Sequence, residues 1–251
     1  MSDLQADSAG VPWQGRHFEP NASSDDDGSA PDALIAAITA FRSGALGQPE
    51  VIDALRDARL LIPLVAALGA DGRTEHGHDK SQELSIVTVA GPDGRTVLPV
   101  FSSVDAMTRW NPAARPVPAS AQRVALAAAS ESTDLVVLDA TSVTELVIRR
   151  PALEAMARSR EWTPSFLDPE VLDEFLASAG SEPAVIAVQL APGDPDARLA
   201  GPELIVHLTL APGLDQAALS GMLERLQRRW TESELIASRV DSLRVALASA
   251  S

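Results

Sequence analysis

The stretch 60–116 constrains the fold more than any other part of the chain. It begins with an apolar run, in which residues 60–67 predict a strand, and a polar loop follows. Residues 84–89 are rich in β-branched side chains and predict a second strand. The Gly-Pro-Asp-Gly sequence at 91–94 favours a tight turn, because proline presets φ and glycine accepts a positive φ. The strand predicted at 96–100 then returns antiparallel and completes a hairpin.

Helical patterns surround this hairpin. Ser102 and Asp105 have the spacing of a capping box, so we expect a short helix that ends at Trp110, before Pro112. Further helices are predicted at 32–45, 50–58, 121–129, 151–157, 169–177 and 216–229, and further strands at 134–139, 146–148, 184–190, 203–210 and 242–247. The sequence therefore predicts an α+β fold, in which a mixed or antiparallel sheet has flanking helices and a second, smaller α+β domain follows.

Changes in composition divide the chain into three parts. The first 31 residues carry six acids against one base, and they offer too little apolar surface to offset the entropy of ordering. Trp13 and Phe18 are the exception there, because two aromatic residues in a polar tail can dock onto a partner or onto the chain's own body. A Pro-rich, polar stretch that begins at Trp162 marks the next boundary. The predicted parts are a disordered acidic tail (1–31), a first domain (32–165) and a C-terminal α+β domain (166–251).

The net charge limits the classes of partner. A formal charge of −15 repels polyphosphate backbones, and the basic stripe of nucleic-acid binders is missing. Anionic membrane surfaces select for clustered Lys and Arg, whereas this chain has one lysine, Lys80, and scattered arginines. We therefore expect neither nucleic acid nor membrane as a partner.

The absence of cysteine excludes disulfides, thiolate metal sites and cysteine nucleophiles within this chain. The first thirty residues lack the basic and apolar regions of a secretory signal. The longest apolar run, at 60–70, is interrupted by Pro63 and is shorter than the ~20 residues of a membrane-spanning helix. A cytoplasmic protein is expected.

Few residues have the types and spacing that chemistry requires. His76 and His78 point to the same side of an extended segment and could present two imidazoles to a metal ion, but a third ligand is not evident and a solvated loop is the alternative. Asp134, Asp139 and Glu145 could supply a carboxylate pair if the fold brings them together. No nucleophile elbow, P-loop or dinucleotide fingerprint is present. We therefore predict no catalytic residue, no metal and no cofactor.

Three residues are predicted to bind a partner. Trp110, Arg115 and Trp162 are candidates to frame a surface groove, since Trp and Arg are enriched at binding hot spots. Packing under the hairpin is the alternative role for Trp110. The edge of an antiparallel sheet also makes a homodimer a candidate assembly. His207 lies within the strand predicted at 203–210, where side chains alternate between the two faces, and it could lie on either face.

Six short segments, taken in order, resemble the N-terminal domain of the SseB family: residues 61–64, 85–89, 91–95, 98–103, 110–112 and 114–118. The resemblance extends over about residues 32–165, and residues 240–243 fit the C-terminal half of the family. An Ala-rich composition with Arg in place of Lys is similar to that of actinobacterial members. The resemblance implies a small mixed α/β domain without established catalytic residues, in a family named for serine sensitivity in enteric bacteria.

The resemblance also links the family to a neighbouring sulfurtransferase of the rhodanese type, whose persulfide chemistry this cysteine-free chain cannot perform. We therefore expect a non-catalytic protein-interaction or regulatory module, with a protein partner of unknown identity. Two alternatives stay open. One is a metal-assisted hydrolase that uses His76 and His78, and the other is a secretion-associated accessory protein or chaperone that uses its acidic tail.

Overall fold

A computed structural model describes residues 26–66 and 84–250. Its helices are α1 (Asp32–Arg42), α2 (Gln48–Arg56), α3 (Val104–Trp110), α4 (Ala121–Ser130), α5 (Arg150–Ala157), α6 (Pro169–Ala179), α7 (Gln216–Glu232) and α8 (Glu234–Arg239). Its strands are β1 (Arg59–Ala66), β2 (Leu84–Ile86), β3 (Val89–Ala90), β4 (Thr96–Val100), β5 (Arg115–Ser120), β6 (Leu135–Leu138), β7 (Leu146–Arg149), β8 (Val185–Pro192), β9 (Leu204–Leu210) and β10 (Leu243–Ser249).

The strands form three sheets, with orders β2-β1-β5, β3-β4-β6-β7 and β10-β9-β8. The first is antiparallel, whereas the other two are mixed, since β4 runs parallel to β6 and β9 runs parallel to β10. Leu61 and Phe101 exchange two backbone hydrogen bonds, of 2.8 and 2.9 Å, and so join the first two sheets. The predicted α+β class is confirmed.

The four-stranded sheet has two different faces, because successive side chains of a strand point to opposite sides. Leu98, Val136, Leu138, Leu146 and Ile148 face the helices and are at most 2 % exposed, within a core that α1, α2, α4 and α5 complete. Each such side chain contributes roughly 1.5–3 kcal/mol to the free energy of folding. The alternate residues of the same strands point to the opposite face.

The C-terminal sheet packs one face against α6, α7 and α8. Phe175 and Trp230 meet edge to face there, with ring centroids 5.2 Å apart. The indole Nε1 of Trp230 donates a hydrogen bond of 2.7 Å to the Ser178 hydroxyl, so its polar atom is satisfied inside the core. His207, on β9, is exposed, on the face of the sheet away from these helices.

Arg149, the last residue of β7, ties the C-terminal half to the four-stranded sheet. Its guanidinium lies between Asp194 and Asp241, at 2.8 and 2.9 Å, and also donates to the carbonyl oxygen of Gly201 at 2.8 Å. The arginine side chain is 8 % exposed and each aspartate side chain is 2 % exposed. Arg95, in the turn before β4, donates to both carboxylate oxygens of Asp241 at 3.0 Å. One buried ionic cluster therefore joins the two halves.

The predicted hairpin differs in its pairing. The strand expected at 84–89 is two strands, of which β2 pairs with β1 and only β3 pairs with β4. The cap of α3 is Ser103, whose hydroxyl accepts from the N–H of Ala106 at 3.1 Å. Ser102 does not cap the helix, because its own hydroxyl donates to Asp139 at 2.7 Å.

Two elements were not predicted. Strand β5 has the sequence Arg-Pro-Val-Pro-Ala-Ser, and its two prolines are tolerated because β5 is an edge strand of its sheet. The short helix α8 follows α7 directly, and Ser233 caps it by accepting from the N–H of Ile236 at 3.3 Å. The prolines of β5 and the short length of α8 left neither element with a recognisable hydrophobic pattern.

Most of the predicted acidic tail lies outside the described residues, whereas its last residues contact the folded body. Asp26 pairs with Arg59 at 2.8 Å, and the carbonyl oxygen of Gly28 accepts from the N–H of Val104 at 2.9 Å. None of the described helices is long and apolar enough to cross a membrane.

Replacing Arg149 with methionine should lower the free energy of unfolding by about 3–5 kcal/mol, because Asp194 would stay buried without its cation and Asp241 would keep only Arg95. The measurement is equilibrium urea unfolding. Arg158→Met is the matched control, since the Arg158 side chain is 62 % exposed and pairs only at the surface with Glu154. Equal stability of the two variants would contradict a structural role for the ionic cluster.

Candidate functional site

Trp110 ends α3 and is half-buried. Its ring packs on Phe101, with centroids 5.2 Å apart, in a small cluster with Leu61, Met107 and Ala114. The same side chain also lines a groove on the four-stranded sheet. Trp110 therefore has both roles that the sequence suggested, one in packing and one at a surface.

The groove lies on the face of the sheet that the helices leave uncovered. Alternation along the strands sends Val89, Val97, Pro99 and Val137 to this face, and Trp110 of α3 and Leu199 of the C-terminal half join them. We call the depression that these six side chains line the sheet groove. Its volume is about 380 Å³, and its lining is mainly apolar. Thr141, Glu145 and Arg198 add polar groups, with the Arg198 guanidinium 3.8 Å from the Glu145 carboxylate.

One wall of the sheet groove comes from the C-terminal half. The Asp194 carboxylate accepts from the N–H of Leu199 at 2.8 Å and from the N–H of Arg198 at 3.1 Å, which fixes the turn that carries Leu199. Asp194 is in turn held by Arg149. The N–H of Val147 donates to the carbonyl oxygen of Ala197 at 2.7 Å, so the same segment also covers the edge of β7. The buried ionic cluster therefore positions this wall.

A glycine lies where this wall meets the turn before β4, and a side chain there would crowd its neighbours. A Cβ atom on Gly91 would lie 3.0 Å from Leu199 Cδ2 and 3.1 Å from Val97 Cγ1. The turn itself closes as predicted, since the N–H of Gly94 donates to the carbonyl oxygen of Gly91 at 3.0 Å and Gly94 has a φ of +83°. The close approach of Gly91 lets Leu199 seat against Val97.

Arg115 begins β5 and is exposed. It lies a few residues after Trp110, beyond a turn in which the N–H of Ala114 donates to the carbonyl oxygen of Asn111 at 3.1 Å. Within the part of the chain that the structure describes, Arg115 pairs with no carboxylate. Arg115 is thus an exposed cation near the end of α3.

Trp162 lies elsewhere. It packs against the helix-side core and lines an enclosed cavity of about 20 Å³ together with Gln48 and Glu203. Its other edge borders an open, charged cleft of about 290 Å³ that includes Glu154 and Arg239. Trp110 and Trp162 therefore line different cavities. These cavities do not form the single groove, framed by Trp110, Arg115 and Trp162, that the sequence suggested.

The three candidate carboxylates have separate surroundings. Asp139 is 1 % exposed, and its carboxylate accepts from the N–H and the hydroxyl of Ser102, both at 2.7 Å, and from the Thr144 hydroxyl at 2.8 Å. Glu145 accepts from the N–H of Thr141 at 2.6 Å, and Asp134 is exposed. Asp139 is thus committed to holding the turn after β6 against the start of α3.

The other proposed chemistry lies outside the described residues, since His76 and His78 are not among them. Among the residues that are described, no group of three or more His, Asp or Glu side chains could hold a metal ion. The hypothesis of a site at His76 and His78 is therefore neither strengthened nor weakened by the geometry.

The acidity of Glu203, which lines the enclosed cavity, is altered by its surroundings. Burial raises the pKa of Glu203 above its ordinary value, and the negative charge of Asp241 adds to the effect. The N–H of Asp241, at 2.6 Å, and the Ser165 hydroxyl, at 2.9 Å, donate to the carboxylate and oppose the rise, as does the charge of Arg149. Glu203 thus links the segment before α6 to the ionic cluster.

Sequence reasoning missed the two residues that position one wall of the sheet groove without lining it, Arg149 and Asp194. Arg149 ends an apolar strand, and Asp194 lies in a Pro-rich loop, so neither belongs to a recognisable pattern. The available signal was an arginine that directly follows a buried strand, Leu-Val-Ile-Arg, and that must find an acid if it is buried.

Part of the chain matches a known protein family. The family described as SseB protein N-terminal domain matches residues 33–155. The resemblance predicted from the six short segments is thereby confirmed. No curated protein and no solved structure matches the chain.

The raised pKa of Glu203 predicts how stability depends on pH. Because the folded-state pKa is raised above the ordinary value of 4.5, the associated stability is fully present below pH 4.5 and is lost as the pH rises through the folded pKa. Urea unfolding of the protein and of Glu203→Gln should therefore show a difference in free energy that shifts in favour of the glutamine variant as the pH rises above 4.5. A difference that is constant with pH would show that Glu203 ionises normally.

Proposed function

Since residues 33–155 make this chain a member of the SseB family, we propose that it is a non-catalytic module that binds a protein partner in the sheet groove. The observation that carries the proposal is an apolar groove of about 380 Å³ on the sheet face that the helices do not cover, with a tryptophan in its lining. A concave, mainly apolar site with a few polar groups at its border is the usual form of a binding site on a protein. Tryptophan supplies much of the binding energy at such sites.

The surroundings of the groove favour recognition of an apolar segment that carries some polar groups. Valine, proline and leucine side chains supply the floor, while Thr141 and the Glu145–Arg198 pair lie at the border. This is the arrangement of an interface with an apolar centre and a polar rim. Arg115, beyond the Trp110 end, offers a cation for an acid of the partner.

The assignment of a non-catalytic role is supported by the state of three buried acids. Asp139 is fully occupied by three hydrogen bonds, and Asp194 and Asp241 are paired with Arg149. General acid or base catalysis needs a group that can reach substrate and exchange a proton, and these carboxylates are engaged inside the protein. The hydrolase and the secretion accessory remain alternative hypotheses, and no described contact favours either. We also propose that the protein is cytoplasmic.

Val89→Glu should abolish capture of the partner, because it places a charge in the apolar floor of the groove. Val89 is half-buried on a two-residue strand, so the substitution should perturb the core little. Thr96→Glu is the matched control: it adds the same charge on the neighbouring strand, at an exposed residue that points to the opposite face. Affinity capture from native lysate, with mass measurement of the co-eluting proteins, checks both. A partner lost equally from both variants, or from neither, would refute the groove as the binding site.

Trp110→Ala and Arg115→Ala test the two ends of the proposed surface separately. Loss of the indole should weaken partner binding by more than about tenfold, as expected of a hot-spot residue, and urea unfolding must accompany the measurement because Trp110 also packs on Phe101. Loss of the exposed Arg115 should leave stability unchanged and should reduce binding chiefly at low salt. Unchanged affinity in both variants, measured by titration calorimetry with the captured partner, would exclude this end of the groove.

A further inference from the structure

We propose that the sheet groove has an occupant within the same chain, the N-terminal segment 1–25, which seats Trp13 and Phe18 there and must leave before a partner can bind. The inference rests on the proposed function in one respect, since both use the same groove. It concerns how that site is regulated.

The segment joins the folded body beside α3. Asp26 is held by Arg59, and the N–H of Val104, at the start of α3, donates to the carbonyl oxygen of Gly28. Gly28 has a φ of +78°, and a Cβ atom there would lie 2.7 Å from Val104 Cγ2. Only glycine fits this backbone conformation and this close approach. The chain is thus pressed against the first turn of the helix that ends at the groove.

The distance from this point to the groove is short. Helix α3 has seven residues and therefore spans about 10 Å, from Val104 to Trp110 in the groove lining. Phe18 and Trp13 lie eight and thirteen residues before Asp26, so an extended chain carries them up to about 26 and 43 Å. Both aromatic residues therefore reach the groove with slack.

The composition of the segment suits the groove. The chain has only four tryptophans and five phenylalanines, and one of each lies in these 25 residues. An apolar groove can bury these two side chains, which stabilises the docked segment by roughly 25 cal/mol per Å² of apolar surface removed from water. The rest of the segment is polar and needs no such burial. The acids of the segment, Glu19 among them, find a complementary charge in exposed Arg115, near the Trp110 end. Aromatic burial and charge therefore favour the same location.

Because both ligands use one site, the segment and the partner compete. If the segment occupies the groove for roughly nine-tenths of the time, apparent partner affinity is reduced about tenfold relative to an open groove. Removal of the two aromatic side chains relieves this competition. The groove is then a site whose availability the chain itself controls.

The absence of cysteine allows a direct test in the full-length protein, because Ser8→Cys creates the sole attachment point for a nitroxide label. Backbone amide resonances of Val89, Val97 and Val137 should be broadened by the label, while those of α7 should not. Trp13→Ala with Phe18→Ala should remove the broadening, and so should Val89→Glu. Thr96→Glu should retain it. Absence of broadening at the groove, or broadening that survives loss of both aromatic residues, overturns the inference.

A mixing experiment separates the chain's own segment from that of a second copy. Label-free ¹⁵N protein is combined with an equal amount of labelled protein that lacks ¹⁵N. Sharp groove resonances in this mixture support docking within one chain, whereas broadening shows exchange between copies and overturns the intramolecular form. Partner capture that depends on Val89, found without broadening at the groove, would contradict this inference and leave the proposed function standing. Broadening at the groove without partner capture would contradict the proposed function and leave this inference standing.

Discussion

The buried contact of Arg149 with Asp194 and Asp241 is the interaction on which the rest of the structure depends. It comes at the end of β7, where an apolar strand reaches the boundary between the two halves of the chain. Burying one cation costs desolvation energy that only close, well-hydrogen-bonded acids offset. Both acids come from the C-terminal half, so neither half can neutralise these buried charges without the other. It also fixes the turn that carries Leu199, and hence the shape of the groove.

The two faces of the four-stranded sheet have different roles in the first half of the chain. One face is sealed by helices and supplies stability, while the other is covered only in part, by a segment from the C-terminal half. Sequence alternation alone creates both faces, since each strand places every second residue on each side. The family match ends within α5, so it includes the strands of the groove floor but not the residues of its distant wall. A recognition surface built in this way belongs to the whole chain.

Local patterns predicted much of the fold, and long-range contacts explain what they missed. The Gly-Pro-Asp-Gly turn, the Ala-rich α4 and the strand pair β6 and β7 carry their own signals and were located closely. The identity of the α3 cap was wrong by one residue because Asp139, 37 residues away, engages Ser102. The pairing of β2 was missed since adjacency in sequence favoured a hairpin over a return to β1. Of the candidate site, Trp110 was identified from its residue type, whereas Leu199 and Asp194 became visible only through the fold.

The wall contributed by Leu199 determines whether the region that matches the family can fold alone. A fragment that stops after residue 165 would contain the entire matched segment and yet lack the cover over Val97, Val137 and Val147. It would also leave Arg149 without either counter-ion and the edge of β7 without the carbonyl of Ala197. An uncovered strip of valines beside an open strand edge is a template for self-association. The limits of sequence similarity and the limits of independent folding therefore fall at different places in this molecule.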